Sequence, residues 1–85
     1  LEDKFVAIMK IQVLFFASIK EFVRVNSIEI SNCSTLSELK SKLIQDFPGI
    51  EHHTFAFAVN NQIQNNEMAL KNGDVVALLP PFSGG

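Results

Sequence analysis

The residues best suited to do chemistry are the last six, Pro80-Pro81-Phe82-Ser83-Gly84-Gly85. With glycine at about 7% of residues, two in a row at a terminus arise by chance in roughly one chain in 200. Gly84 and Gly85 have no Cβ, so the backbone can run extended through a slot too narrow for any side chain. The terminal carboxyl is then the only reactive group at the tip. Pro80 and Pro81 fix φ and favour a stiff, extended segment that holds the tip away from the preceding body. Phe82 is a candidate anchor for the tail, with Ser83 between it and the glycines. The competing reading is a frayed end without function, and the tail alone does not choose between them.

Other reactive residues form no convincing set. His52 and His53 are neighbours, which on an extended segment point to opposite sides, and no Cys, Asp or further His completes a metal-ligand group. The expectation is two solvated loop histidines and no metal. The single Cys33 cannot form an internal bridge and reads as a small buried residue, in keeping with a reducing compartment. No Ser-His-Asp set, carboxylate pair or phosphate-binding glycine loop is evident, and stand-alone catalysis is disfavoured.

The chain has 85 residues, 47% of them hydrophobic, enough for one small core without disulfide or metal support. Seven basic residues against nine acidic ones give a net charge of -2. Without a basic run or an arginine-aromatic stripe, nucleic acid is an unexpected partner. No apolar run reaches the roughly 20 residues needed to span a bilayer, and no signal-peptide pattern is present. No membrane association is expected, and the cytosol is the default location.

The tail needs elements to hold it. Lys10 to Ala17 reads as a strand with Ile11, Val13 and Phe15 on one face and Lys10, Gln12, Leu14 and Phe16 on the other. The second face turns apolar halfway along, which suggests burial for Leu14 and a partner surface for Phe16. Ser18 is placed to cap a short helix through Val23, whose Ile19, Phe22 and Val23 share one side. Ser27 to Ser31 alternates as a second strand. Thr35 and Glu38 have capping-box spacing at the start of the strongest helix, with an apolar stripe of Leu36, Leu39, Leu43 and Phe47 beside Ile44. Pro48-Gly49 stops it. Thr54 to Val59 alternates as a strand, Asn60-Asn61 suits a tight hairpin turn, and Gln62-Ile63-Gln64 returns, leaving Ile63 as an exposed apolar contact. After the turn Asn72-Gly73-Asp74 comes Val75 to Leu79, apolar on both sides and therefore expected in the centre of its sheet. The order predicts an α+β roll: a mixed sheet covered on one face by a long helix plus a short one. Residues 1–8 read as an extension or cloning remnant, because Met9 is a natural start, or equally as a lengthening of the first strand, and the sequence does not choose; 9–79 form the domain and 80–85 the tail.

Several of these residues carry a resemblance. Val13-Leu14-Phe15-Phe16-Ala17 followed by Lys20-Glu21, the Val59-Asn60 pair, Gly73-Asp74 before the last strand, and above all Pro80-Pro81-Phe82-Ser83-Gly84-Gly85 resemble the small-subunit family of molybdopterin synthase. The resemblance runs from Met9 to Gly85, and its tail motif is the specific part. It implies a ubiquitin-like β-grasp fold and a sulfur carrier rather than a free-standing enzyme.

By that resemblance, an adenylating and sulfurating partner uses ATP to activate the carboxyl of Gly85, which becomes a thiocarboxylate. The large synthase subunit receives the tail and holds the substrate, precursor Z (cyclic pyranopterin monophosphate), for molybdenum cofactor biosynthesis. No cofactor is expected on this chain. Matching positions imply that Phe16, Ile63 and Leu79 form an apolar docking surface with Lys20 at its rim, and that Phe82 packs near the tail entrance. For Leu79, ordinary sheet packing is the competing reading. A thiamine-pathway sulfur carrier and a ubiquitin-like protein modifier share the fold and the double glycine, and stand as the alternatives.

Overall fold

The computed structural model of the chain describes residues 9–81. Its elements are β1 (Lys10–Phe15), α1 (Ala17–Val23), β2 (Ser27–Ser31), α2 (Leu36–Asp46), a 3-10 turn (Ile50–His52), β3 (Ala56–Val59), β4 (Gln62–Gln64) and β5 (Val75–Leu79). The five strands form one mixed sheet in the order β2-β1-β5-β3-β4. β5 is central, parallel to β1 on one side and antiparallel to β3 on the other.

One face of the sheet carries the core. Ile11, Val13 and Phe15 of β1, Val76 and Leu78 of β5 and Val59 of β3 are buried, and with Leu36, Leu39 and Leu43 of α2 they make one hydrophobic cluster. Register explains the match: Val13 stands opposite Ile28 and Val76, and Val76 opposite Val59, so one row of β-branched side chains crosses four strands.

α2 starts where the sequence pattern places it. Thr35 Oγ1 accepts from the Glu38 N–H at 3.2 Å. The reciprocal bond is displaced by one residue: Glu38 Oε1 accepts from Ser34 N–H and Oγ at 2.8 and 2.9 Å. A third donor is met from far along the chain, because Glu67 Oε1 accepts from the Ser37 N–H at 3.0 Å. The helix N-terminus thus has its free N–H groups filled. At the other end Phe47 caps the helix, and Gly49 follows at φ +101.

Four details differ from the pattern reading, the first being that β1 ends at Phe15 rather than Ala17, because the chain turns into a helix there. α1 begins at Ala17, entered from Phe16 in extended conformation with no side-chain cap, so Ser18 sits inside the first turn and does not cap it. Phe22 lies at the surface, 38% exposed, while Ile19 and Val23 are buried. At roughly 3.6 residues per turn Ile19 and Val23 share the centre of a narrow buried arc, and Phe22 falls at its edge. There its ring stacks on His53, centroids 4.6 Å apart, and lies over Gly49. Finally, β3 begins at Ala56 rather than Thr54. Its partner β5 ends at Leu79, opposite Ala56, and Pro80 has no N–H with which to continue the ladder.

The hairpin turn Asn60-Asn61 has positive φ at both residues, 49° and 73°, as a two-residue connection between antiparallel strands requires. Asp74, just before β5, is the only charged side chain buried among the described residues. Burial pushes its carboxyl up, but the Asn60 amide, the Lys71 N–H and the Lys71 charge outweigh that and hold it below its ordinary 3.8. A carboxyl depressed by folding adds stability that is complete above its unfolded value and is lost as pH falls through the folded one. Asp74→Asn should therefore lower stability at neutral pH by about 2 kcal/mol, and the gap to the wild-type chain should close below pH 3.8. Urea denaturation across a pH series measures both limbs.

Candidate functional site

The second face of the sheet is the unusual one. Strand alternation places Leu14 of β1, Val75, Ala77 and Leu79 of β5, Ala58 of β3 and Ile63 of β4 together on it. Leu14 stands opposite Ala77, Ala77 opposite Ala58, and Ala58 opposite Ile63, a single row across four strands. The small residues sit in the middle and the larger ones outside. A groove of about 350 Å³ results, lined by Leu14, Phe16, Ala58, Asn61, Ile63, Val75, Ala77 and Leu79. Phe16 and Ile63 are 42% and 43% exposed. An apolar floor with exposed apolar walls is what a partner surface requires and what a solvent face avoids.

Phe16, Ile63 and Leu79, far apart in sequence, thus meet in one concavity. Leu79 is half-buried there, and Leu14, expected to be buried, is also half-buried as part of the groove. Lys20 is exposed on α1 and is not among the lining residues. Leu79 ends β5, and Pro80 and Pro81 follow, both exposed. The segment that leads to the C-terminus therefore departs from the groove itself. Phe82, Ser83, Gly84 and Gly85, with the expectations placed on them, lie outside the described residues.

Pattern reading did not assign Ala58, Asn61, Val75 and Ala77 to a site. The signal was present in the two-sided apolar character of β5, which the structure accounts for by a core on one side and this groove on the other. A smaller hollow of about 200 Å³ between α2 and β4 is lined by polar side chains, among them Glu67, which is already engaged with α2.

Other chemistry is scarce. Cys33 is fully buried, its Sγ donating to the Thr35 carbonyl at 3.5 Å. Burial pushes its thiol up from the ordinary value, and the Glu38 charge adds to the rise. A buried thiol held protonated is a poor nucleophile. Among the described residues no three or more His, Cys, Asp or Glu side chains are grouped to hold a metal ion. No helix is long and apolar enough to cross a membrane, again among those residues.

A five-stranded mixed sheet with a central last strand, one face wrapped around a single long helix, is the ubiquitin-like β-grasp. Comparison with known proteins narrows this class. The ThiS family matches residues 13–85, and the chain belongs to that family. It is 35% identical over 83 residues to the molybdopterin synthase sulfur carrier subunit of Chlamydomonas reinhardtii, covering 91% of this chain and 100% of that one. The protein of the same description from Haemophilus influenzae is 31% identical over 80 residues, covering 88% and 99%. Among solved structures, the complex of subunits 1 and 2 of molybdopterin-converting factor from Helicobacter pylori contains a chain 36% identical to this one. It superposes with a TM-score of 0.70 over 91% of this chain and 100% of that one.

Side chains that keep about two-fifths of their surface in solvent contribute less to folding than fully buried ones. Phe16→Ala and Ile63→Ala should each shift stability by less than about 1 kcal/mol. Leu78→Ala, on the opposite face of the same sheet and fully buried, should cost about 3 kcal/mol. Chemical denaturation of the three variants checks the contrast; a large loss at Phe16 or Ile63 would make the groove part of the core.

Proposed function

We propose that this chain is the sulfur-carrying subunit of a molybdopterin synthase, with Gly85 as the group that bears sulfur. The observation that carries the reading is the departure of the C-terminal segment from the central strand at the edge of an apolar groove. A partner seated in that groove is held beside the root of the tail. Family membership and the two sulfur carrier relatives support the same role.

The chemistry follows from the weakness of a carboxylate as an electrophile. An activating enzyme supplies ATP; a carboxylate oxygen of Gly85 attacks the α-phosphorus, and pyrophosphate leaves. A hydrosulfide-equivalent donor then displaces AMP, leaving a thiocarboxylate whose sulfur is softer and more polarisable than the oxygen it replaces. In the large subunit that sulfur bonds to a carbon of the pterin precursor as a carbon–oxygen bond there breaks and the oxygen departs, and water then cleaves the acyl–sulfur bond to return the carboxylate. Two such deliveries make the dithiolene that later holds molybdenum. Orientation in the receiving pocket supplies much of the rate. Phe16, Ile63 and Leu79 dock, Lys20 stands at the rim, Phe82 packs at the entrance, and Pro80 and Pro81 keep the tail extended. Ser83 and Gly84 thread the slot. The cytosol, where such partners work, is the proposed location.

Incubation with the activating enzyme, ATP and a sulfide donor should change the mass of the C-terminal peptide by one oxygen replaced with one sulfur. An unchanged Gly85 rejects the proposal. Ile63→Glu would bury an unpaired charge on docking and should weaken binding to the large subunit at least about tenfold while the fold persists. Binding to a thiazole synthase instead of that subunit would assign the chain to the thiamine pathway.

A further inference from the structure

One polar pair, a buried Asp74 and an Asn60 at the surface, ties the groove's outer wall to the centre of the sheet. Both carboxylate oxygens of Asp74 are used: Oδ1 accepts from Asn60 Nδ2 at 3.0 Å, and Oδ2 accepts from the Lys71 N–H at 2.7 Å. The other end of the Asn60 side chain faces β5, where Oδ1 accepts from the Val75 N–H at 3.0 Å. The Asn60 N–H donates to the Val75 carbonyl at 2.8 Å, and the Asp74 carbonyl accepts from the Gln12 N–H at 3.0 Å. These two residues therefore join β1, the root of β5 and the tip of the β3–β4 hairpin.

The inner strand of the hairpin pairs with β5 along its length, but the outer one is held less firmly. β4 has three residues, lies at the sheet edge and pairs with β3 alone. Asn61 and Ile63, which line the groove, stand on this lightly held arm. A glycine would adopt the positive φ of residue 60 with less strain than asparagine. The side chain of Asn60 is therefore explained by what it binds, not by the turn it makes.

We infer that Asn60 and Asp74 are positioning residues for docking, fixing the hairpin so that Asn61 and Ile63 stand as the groove's outer wall before a partner arrives. The inference rests on the groove being the face that meets the large subunit. A wall set in advance avoids the cost of ordering it on binding.

Hydrogen-bond direction supplies a test that separates positioning from general stability. In Asp74→Asn the new amide donates where Asn60 also donates, and turning Asn60 over sets its NH2 against the Val75 N–H instead. In Asn60→Asp two carboxylates face each other. The double variant Asn60→Asp/Asp74→Asn satisfies every partner with the direction reversed: the residue-60 carboxylate accepts from Val75 N–H and from the residue-74 amide, whose oxygen accepts from Lys71 N–H. Affinity for the large subunit is measured by surface-based kinetics at neutral pH, at a temperature where each full-length variant is folded by its own denaturation curve. Both single variants should bind at least about tenfold more weakly, chiefly through faster dissociation, and the double variant should return to within about threefold of wild type. Asn60→Gly keeps the turn and deletes the side chain, and should lose affinity to the same degree. Wild-type affinity in Asn60→Gly or in the folded single variants overturns the inference, as does a double variant that regains stability without affinity. A wild-type chain that does not bind the large subunit, or an Ile63→Glu variant that binds it normally, rejects the docking reading and this inference with it.

Discussion

The structure depends on one mismatch: the central strand is apolar on both faces, and the chain has a single long helix with which to cover it. β5 lies between β1 and β3, so its backbone groups are paired on both edges and only its faces remain to be decided. α2 takes the face that holds Val76 and Leu78, both fully buried. The parallel pairing of β1 with β5 requires a crossover between them, and α2, the long helix within it, packs on the core face. Nothing among the described residues is left to cover Val75, Ala77 and Leu79. The groove is therefore a consequence of topology, and alternation along the strands decides which residues fill it.

Polar groups settle what packing cannot. Three acidic side chains serve backbone N–H groups and neighbouring side chains in place of charged partners: Glu38 at Ser34, Glu67 at Ser37 and Met68, and Asp74 at Lys71. Each joins segments that the hydrophobic pattern leaves loosely placed. Glu67 is the longest-range of them, pinning the connection before β5 onto the start of α2, where the Met68 carbonyl also accepts from the Leu36 N–H at 3.0 Å. At the start of α2 these bonds fill N–H donors that the helix itself leaves free. No buried side-chain nitrogen or oxygen among the described residues is left without a partner.

The sequence was legible where the cause was local. Ser27–Ser31 shows its strand by period two, Thr35 and Glu38 place the start of α2 within four residues of chain, and Asn60-Asn61 marks its own turn. The groove was half legible: Phe16 and Ile63 stand out as apolar residues without a core role, but their meeting depends on strand order, which no window of sequence contains. The 3-10 turn was hidden. Its buried Ile50 sits alone between Pro48-Gly49 and the two histidines, with no periodicity to betray it. Ser18 misled because a good capping residue stood two positions past the N-cap, Phe16, and the chain enters the helix at Ala17 with φ 56. Asn60 and Asp74, fourteen residues apart, read as two separate turns; only the fold makes them one contact.

Under the proposed function, division of labour between the domain and its C-terminal segment follows from incompatible demands. Chemistry at a terminal acyl group favours a strand of backbone with nothing attached, while recognition needs side chains in fixed relation, which two glycines cannot supply. A rigid sheet face next to the root of the segment resolves the conflict, because binding there raises the local concentration of the tip without touching it. A shallow groove with half-exposed walls leaves its apolar area open to a partner without the deep burial that would make it part of the core.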